Sequence, residues 1–424
     1  MGTSRHFRVG ALLLLAYAPD GAQAQQKEGK KGWSLEWDRR PSLRYGKQFR
    51  MDFRLKLQTD FAAVDDDPEP DRPAYDFRRK RVGVEGEFLR DFEYEFDVEL
   101  DVERDAIRDA FINYRRLRFL QLQAGKFRIP FGRDQNTPPM QLDFVYRSRV
   151  GSQLAPGRDV GLMLHARVWN RRLHYQAGVF RHDGRIAMNS EDRPTGGRTW
   201  AARLRSKPDD WVRLAKPLRQ LELGVAAAWS ELPESPVRNG LRGRTAFDLT
   251  FAPRAYVAGR RLRSGVEAEW ASGPFGAQAE FVRVRDERRG QSIFGDDLPN
   301  LISQGWYVAG TWVLTGEKKD GGVRPKREFL NGGFGAVELA IRSEDLRVRS
   351  ADSSALAFAH PRAANFPPIQ DRAWTFGINW YLNRHVKIQG NFVRERVDDV
   401  DFGSFAARDR QTFWMRVARV QLVF

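Results

Sequence analysis

A transmembrane antiparallel β-barrel is the fold class this sequence predicts, and three observations predict it. Long segments carry apolar residues at every second position, the N-terminus has the make-up of an export signal, and the final strand ends on an aromatic residue. The chain has 424 residues, room for two or three ordinary soluble domains or for one large barrel. Charged residues make up 30% of it and the mean hydropathy is −0.58. Such an average cancels in a barrel strand, where lipid-facing apolar residues alternate with lumen-facing polar ones. Beyond the N-terminus no apolar run approaches the ~18 residues of a membrane-spanning helix. Helical membrane architectures are therefore excluded.

The N-terminus reads as a signal peptide over residues 1–24. Arg5 and Arg8 supply the positive region, Ala11 to Ala18 a short apolar core, and Ala22-Gln23-Ala24 a small-x-small cleavage pattern. Cleavage after Ala24 leaves 400 residues and a net charge of +15, against +16 for the whole chain. Residues 25–46 form an N-terminal lead-in, with the basic stretch Lys27 to Lys31 expected to be mobile. The barrel is expected to occupy 47–424. Cysteine is absent, so disulfides, thiol nucleophiles and Cys-based metal sites play no part.

Period two first appears over Gln48 to Phe61. Phe49, Met51, Phe53, Leu55, Leu57 and Phe61 share one phase; Arg50, Asp52, Arg54, Lys56, Gln58 and Asp60 share the other. A helix would scatter both sets around its circumference. Phe92 to Val102 alternates in the same way with an acidic ladder, Glu93, Glu95, Asp97, Glu99, Asp101 and Glu103. The pattern recurs at Val160 to Val168, Leu221 to Trp229, Trp306 to Leu314, Trp374 to Leu382 and Val386 to Phe392. Spacing of roughly 22–25 residues per strand and turn gives about 16 to 18 segments. With both termini on the periplasmic side the number is even, and 16 is preferred. Asp65 to Asp71, Pro233 to Pro236, Gly316 to Pro325 and His360 to Pro368 read as loops, the longer ones extracellular, whereas Leu382 to His385 suits a tight periplasmic turn. The chain closes on Trp414, Ala418, Val420, Leu422 and Phe424 in one phase, with Arg416 an exception.

Asp109 to Tyr114, followed by Gln123-Ala-Gly-Lys-Phe-Arg-Ile-Pro-Phe-Gly132, resembles the phosphate-selective porin O and P family. Gly305 to Glu317, Gly335 to Ser343, Gly377 to Asn383 and Arg416 to Phe424 agree with it in order. The resemblance implies a 16-stranded homotrimeric pore in the bacterial outer membrane, with a long loop folded into the lumen as a constriction. By position that loop falls within 128–157. It departs from the family pattern where phosphate-selective members carry paired serines: here Asn136-Thr137-Pro138-Pro139 stands. Thr137 keeps a hydroxyl donor, but the prolines offer no N–H.

A path for anions needs cations aimed into the bore. Candidates in the loop region are Lys126, Arg128, Arg133, Arg147, Arg149 and Arg158, with Arg50, Arg54 and Lys56 on the polar phase of the first strand. Arg167, Arg203, Arg205 and Arg342 share the polar phase of later strands. The acidic ladder would oppose them unless arginines on adjacent strands pair with it. Basic runs at Arg285 to Arg289 and Lys318 to Arg327 are expected in extracellular loops. Expected partners are outer-membrane lipid and lipopolysaccharide and small anions such as phosphate, with no nucleic acid and no cofactor. None of the six histidines stands in a metal-ligand spacing, and there is no Gly-x-Ser-x-Gly elbow or phosphate-binding loop, so the chain reads as no enzyme. The function expected is passive diffusion of small solutes with an anion preference, phosphate or pyrophosphate being candidates. A non-selective porin, a barrel enzyme and an adhesin are the alternatives.

Overall fold

The computed structural model describes residues 32–424 apart from 38, 66–73, 101, 103–104, 235, 247, 249, 253, 330, 353–359, 366–367 and 399–409. The expected cleavage site and the Lys27 to Lys31 stretch lie outside these residues. A hairpin comes first, β1 (Trp33–Trp37) and β2 (Pro41–Tyr45). The first half of the wall follows: β3 (Phe49–Asp65), β4 (Tyr75–Phe88), β5 (Phe92–Glu99), β6 (Ile107–Leu117), β7 (Leu120–Arg128), β8 (Arg158–Val168), β9 (Leu173–Phe180) and β10 (Thr199–Ser206). After β11 (Glu222–Leu232) a small pair, β12 (Gly243–Arg244) and β13 (Thr250–Ala252), decorates one link. The wall resumes with β14 (Gly259–Ser272), β15 (Phe275–Arg288), β16 (Leu298–Val313), β17 (Ala336–Ser350), β18 (Ile369–Tyr381), β19 (Val386–Asp398) and β20 (Arg410–Val423).

Sixteen of these strands, β3 to β11 and β14 to β20, pair antiparallel in chain order, and β20 returns to β3 with Leu422 opposite Leu57 and Val417 opposite Ala62. Closure leaves no open edge, which matters because an unpaired N–H or C=O in hydrocarbon costs several kcal/mol. Below the closing seam β3 changes partner. Leu55 exchanges backbone hydrogen bonds with Phe424, and from there down Ser42 to Tyr45 of β2 pairs with Phe49 to Asp52.

Burial is inverted relative to a soluble protein. On β18, Trp374, Phe376 and Ile378 are 47–49% exposed, while Asp371, Thr375 and Asn379 between them are at most 2% exposed. The apolar phase faces lipid and the polar phase is enclosed, as the alternation predicts. The polar phase is not uniform. Val282 and Val284 of β15, Tyr307 of β16 and Leu346 of β17 interrupt it and join one buried cluster with Ile129, Phe131, Phe144, Val145, Val150 and Leu154.

Those last six belong to the link between β7 and β8, residues 129–157. It contains a helical turn, α1 (Arg133–Asn136), a 3-10 turn at Pro139–Gln141 and a π-helical turn at Val150–Leu154. Three wall glycines leave room for it. A Cβ on Gly265 would stand 3.4 Å from Phe131, one on Gly305 3.3 Å from Val150, and one on Gly377 3.5 Å from Phe144.

Chain order alternates the links between the two ends of the barrel. Links 89–91, 118–119, 273–274 and 382–385 lie at the end that holds the β1–β2 hairpin and Phe424, here called the terminal end, and so does 314–335. The run Lys318 to Arg327 therefore sits at the terminal end, not among the long loops of the far end. Loop length alone misplaced it; strand parity decides. Arg285 to Arg288 belong to the far end of β15 rather than to a loop, because the strand pairing runs on through Arg288; only Arg289 starts the link.

Candidate functional site: the lumen cations and the 129–157 segment

The acidic phase of β5 ends at Glu99, and each of its four carboxylates has a cation. Glu93 meets Arg115 at 2.5 Å, Glu95 meets Arg54 at 2.5 Å, Asp97 meets Lys56 at 2.5 Å and Glu99 meets Arg81 at 2.7 Å. Asp101 and Glu103 lie outside the described residues. The ladder is thus braced by neighbours rather than left as bare negative charge. Later strands repeat the device: Arg203 pairs with Glu267 at 2.6 Å, Arg205 with Glu222 at 2.9 Å and Arg342 with Glu344 at 2.9 Å.

The 129–157 segment reaches polar-phase residues on many strands. Arg419 of β20 donates to the Val145 carbonyl at 2.6 Å, Asn391 of β19 accepts from the Val145 N–H at 2.8 Å, and Asn379 of β18 donates to the Asp143 carbonyl at 2.9 Å. Asp143 itself receives Lys319, which arrives from the terminal-end link and also binds Glu338 (2.5 Å each). Burial works against the charge on Lys319, yet Asp143 and Glu338 outweigh it and raise its affinity for the proton. Arg149 is the tightest anchor. Its Nε lies 2.8 Å from Asp371, its Nη2 reaches Glu395, and its backbone N–H donates to Glu344 at 2.6 Å. Burial disfavours its charge, but these three carboxylates hold it more firmly protonated than an ordinary arginine.

The remaining candidates divide by partner. Arg133 bonds Glu269 at 2.5 Å and Gln278. Arg50 sits 3.0 Å from Asp52 and 3.6 Å from Glu87. Lys126 pairs with Asp105, and Arg158 forks onto Asp109 with both contacts at 2.9 Å. Arg128 donates to the Asn136 carbonyl at 2.6 Å and meets no carboxylate within ion-pair distance among the described residues. Arg147 donates to the Asp134 and Thr137 carbonyls, so both arginines close the C-terminal end of α1. Burial lowers Arg147's hold on its proton; Asp134 opposes that, and Arg158 adds to it. The Thr137 hydroxyl donates to the Arg133 carbonyl at 3.0 Å, which commits its proton within the segment.

Arg128 and Arg158 stand directly opposite each other on β7 and β8. Around them gather cations that sequence reasoning passed over: Arg79, Arg81, Arg108 and Arg185. Arg108 reaches Glu99 at 3.4 Å, Arg79 reaches it at 3.8 Å, and Arg185 lies 3.2 Å from Asp105. Arg108 escapes a period-two reading because β6 bulges there. Asp109 faces Asp97 and Ile107 faces Val98, which leaves Arg108 as the extra residue. Arg79 and Arg81 share one phase of β4 and could have been found from it. Eight cations (79, 81, 108, 126, 128, 147, 158, 185) therefore share four carboxylates (Glu99, Asp105, Asp109, Asp134) among the described residues.

Residues 49–424 match the family model for phosphate-selective porin O and P. The chain belongs to that family. Porin O of Pseudomonas aeruginosa is 29% identical over 140 residues, 32% of this chain and 30% of the relative, so the match spans about a third of that protein. Among solved structures, the outer-membrane channel DcaP of Acinetobacter baumannii superposes with a TM-score of 0.55 at 9% identity, covering 88% of this chain and 98% of that one. OmpT of Vibrio cholerae superposes with 0.53 at 10% identity, covering 89% and 98%. At such identities these two show the fold. The family is one of porins, and the closed barrel agrees with it.

Proposed function

We propose that this porin passes small anions along the face where Arg128, Arg147 and Arg158 meet Arg81 and Arg108, with residues 128–157 as the constriction. One observation carries the reading: the eight cations of that face share only four carboxylates, whereas Arg54, Arg203, Arg261, Arg342 and Arg419 elsewhere on the enclosed phase each hold a carboxylate closely. Surplus positive charge in a narrow, low-dielectric passage raises local anion concentration. Guanidinium groups stay charged and match the oxygen geometry of phosphate. The selectivity for phosphate over chloride is modest in this reading. Thr137 spends its proton on a backbone carbonyl, Pro138 and Pro139 give no N–H, and Arg149 and Arg133 are committed to carboxylates. The chain is exported by residues 1–24, faces the periplasm with both termini, and assembles as a homotrimer in this proposal.

Single-channel recording tests it. The parent should show anion-selective reversal potentials that weaken with salt, because screening acts over about 10 Å at 0.1 M. Millimolar phosphate should reduce chloride current, and Arg128→Gln with Arg147→Gln should relieve that block. Cation selectivity in the parent would sink the proposal.

A further inference from the structure

The outer wall carries an arrangement that conduction does not use. On the lipid-facing phase of β15, β17, β18 and β19, at the end far from the termini, stand Arg283, Arg285, Arg347, Arg349, Arg372, Arg394 and Arg396. The carboxylates on the same phase there are Glu287, Asp345 and Asp398. Arg347 and Arg372 share Asp345, at 2.8 and 3.1 Å. Arg394 lies over the Trp414 ring, 5.5 Å from its centroid. The Asn300 side-chain oxygen, in the orientation that satisfies both groups, accepts from Arg285 at 2.9 and 2.7 Å. Arg283, Arg349 and Arg396 have no hydrogen bond or ion pair among the described residues, though all three are exposed.

Register sets these groups side by side. Arg283 faces Gln304, Gln304 faces Arg347 and Arg347 faces Gln370; one row nearer the rim, Arg285, Ile302 and Arg349 align. Adjacent strands lie about 4.8 Å apart, so arginines two strands apart present their heads within about 10 Å. On the membrane side of the rows lie Phe281, Trp306, Trp374 and Trp414, all exposed. The opposite end of the same strands shows Phe275, Trp312, Leu339, Ile378 and Trp380 on that phase and no charge. The cationic collar belongs to one leaflet only.

We infer that this collar binds the phosphorylated saccharide headgroup of an outer-leaflet glycolipid, whose acyl chains lie along the aromatic and aliphatic wall beneath. Unpaired guanidinium forks on a lipid-facing surface call for an anionic partner that is itself amphipathic, and phosphate oxygens match the fork. A soluble anion would gain nothing from the apolar rows beside it. The inference rests on the proposal that the termini face the periplasm, which puts the collar in the outer leaflet.

The test compares the folded parent with the triple variant R283Q/R349Q/R396Q in phosphatidylethanolamine nanodiscs containing bisphosphorylated lipid A, with retained lipid counted by native mass spectrometry. The variant should retain roughly a hundredfold less lipid A, since each of the three basic residues at an anionic surface contributes about a factor of five to binding. Its boiling-dependent gel shift and its conductance should match the parent's. Dephosphorylated lipid A should bind both proteins equally weakly. Equal lipid A retention by parent and variant overturns the inference. So does complete displacement by millimolar inorganic phosphate, which would make the site one for a free anion. Loss of trimers in the variant with lipid retention intact would instead assign the collar to a second copy of the chain. An epitope inserted in 289–297 that antibodies cannot reach on intact cells would refute the orientation, and with it that part of the proposed function, without touching the lipid measurement.

Discussion

Arginine serves opposite purposes on the two faces of this wall. Inside, Arg54, Arg81, Arg149, Arg203 and Arg342 are each held by a carboxylate of the enclosed wall. Outside, Arg283, Arg349 and Arg396 project from the apolar phase without an acid. The enclosed arginines have lost much of their water, so an unpaired one there would be expensive and the wall supplies acids to match. The outer ones keep their solvation at a membrane–water boundary and need no internal partner. Charge pairing thus tracks desolvation, and the face around Arg128, where pairing is incomplete, is where the proposed function has an external anion complete the balance.

The comparison breaks most easily at Arg149. Arg149→Met should destabilise the folded barrel by about 3–5 kcal/mol, because Asp371, Glu395 and Glu344 would be left buried around an uncharged side chain. The temperature at which the folded band converts to the unfolded one on gels measures this. A shift no larger than that of the outer variants would remove the distinction between the faces.

A second, smaller effect lies at Asp183, in the link between β9 and β10, fully buried between Arg261 at 2.6 Å and Arg263. Burial pushes its carboxyl up, but the two arginines and the Ser230 hydroxyl bring it down to about 2. A depressed folded value means the stabilisation is complete above the ordinary carboxylate range and is lost as pH falls through about 2. The parent should lose on the order of 2 kcal/mol between pH 4 and pH 2 from this group. Asp183→Asn should be less stable at pH 7 and show a flatter acid limb in the same gel assay.

Smaller again is the effect of the incompletely paired face on selectivity. Arg128→Gln alone should lower the chloride-over-potassium permeability ratio roughly threefold, the factor given by about 0.6 kcal/mol of screened charge. Arg54→Gln, whose charge is balanced by Glu85 and Glu95, should move it less. Equal shifts would mean that pairing does not mute the inner charges. Smallest of all, Arg283→Gln should leave the gel transition within about 0.5 kcal/mol of the parent.

Most of the wall was legible because period two survives wherever one face meets lipid. Gln48 to Phe61 and Trp374 to Leu382 identified β3 and β18 without any structural knowledge. Ion-pair partners were not legible, since Arg149 meets Asp371 and Glu395 across 222 and 246 residues of chain. Nor was Arg108, because a bulge removes a residue from the alternation that would have flagged it. The collar was hidden by the same rule that revealed the strands: arginines on an apolar phase look like exceptions, as Arg416 did. They become a pattern only when register lines them up across five strands. The Lys318 to Arg327 run failed for a simpler reason, since link length says nothing about which end of a barrel a link occupies.

Residues 129–157 also have a mechanical consequence. The segment is rooted in β7 and β8 yet fastened by Arg149, Val145 and Asp143 to β17, β18, β19 and β20, and by Arg133 to β14 and β15. A hollow cylinder of sheet deforms most readily by flattening into an ellipse. A segment bonded to several separate strands of the wall opposes that mode. Fluctuations in current through the pore should therefore come from side chains swinging in a passage of constant outline, and cutting the Arg149 tie should add slow, large-amplitude noise long before the barrel unfolds.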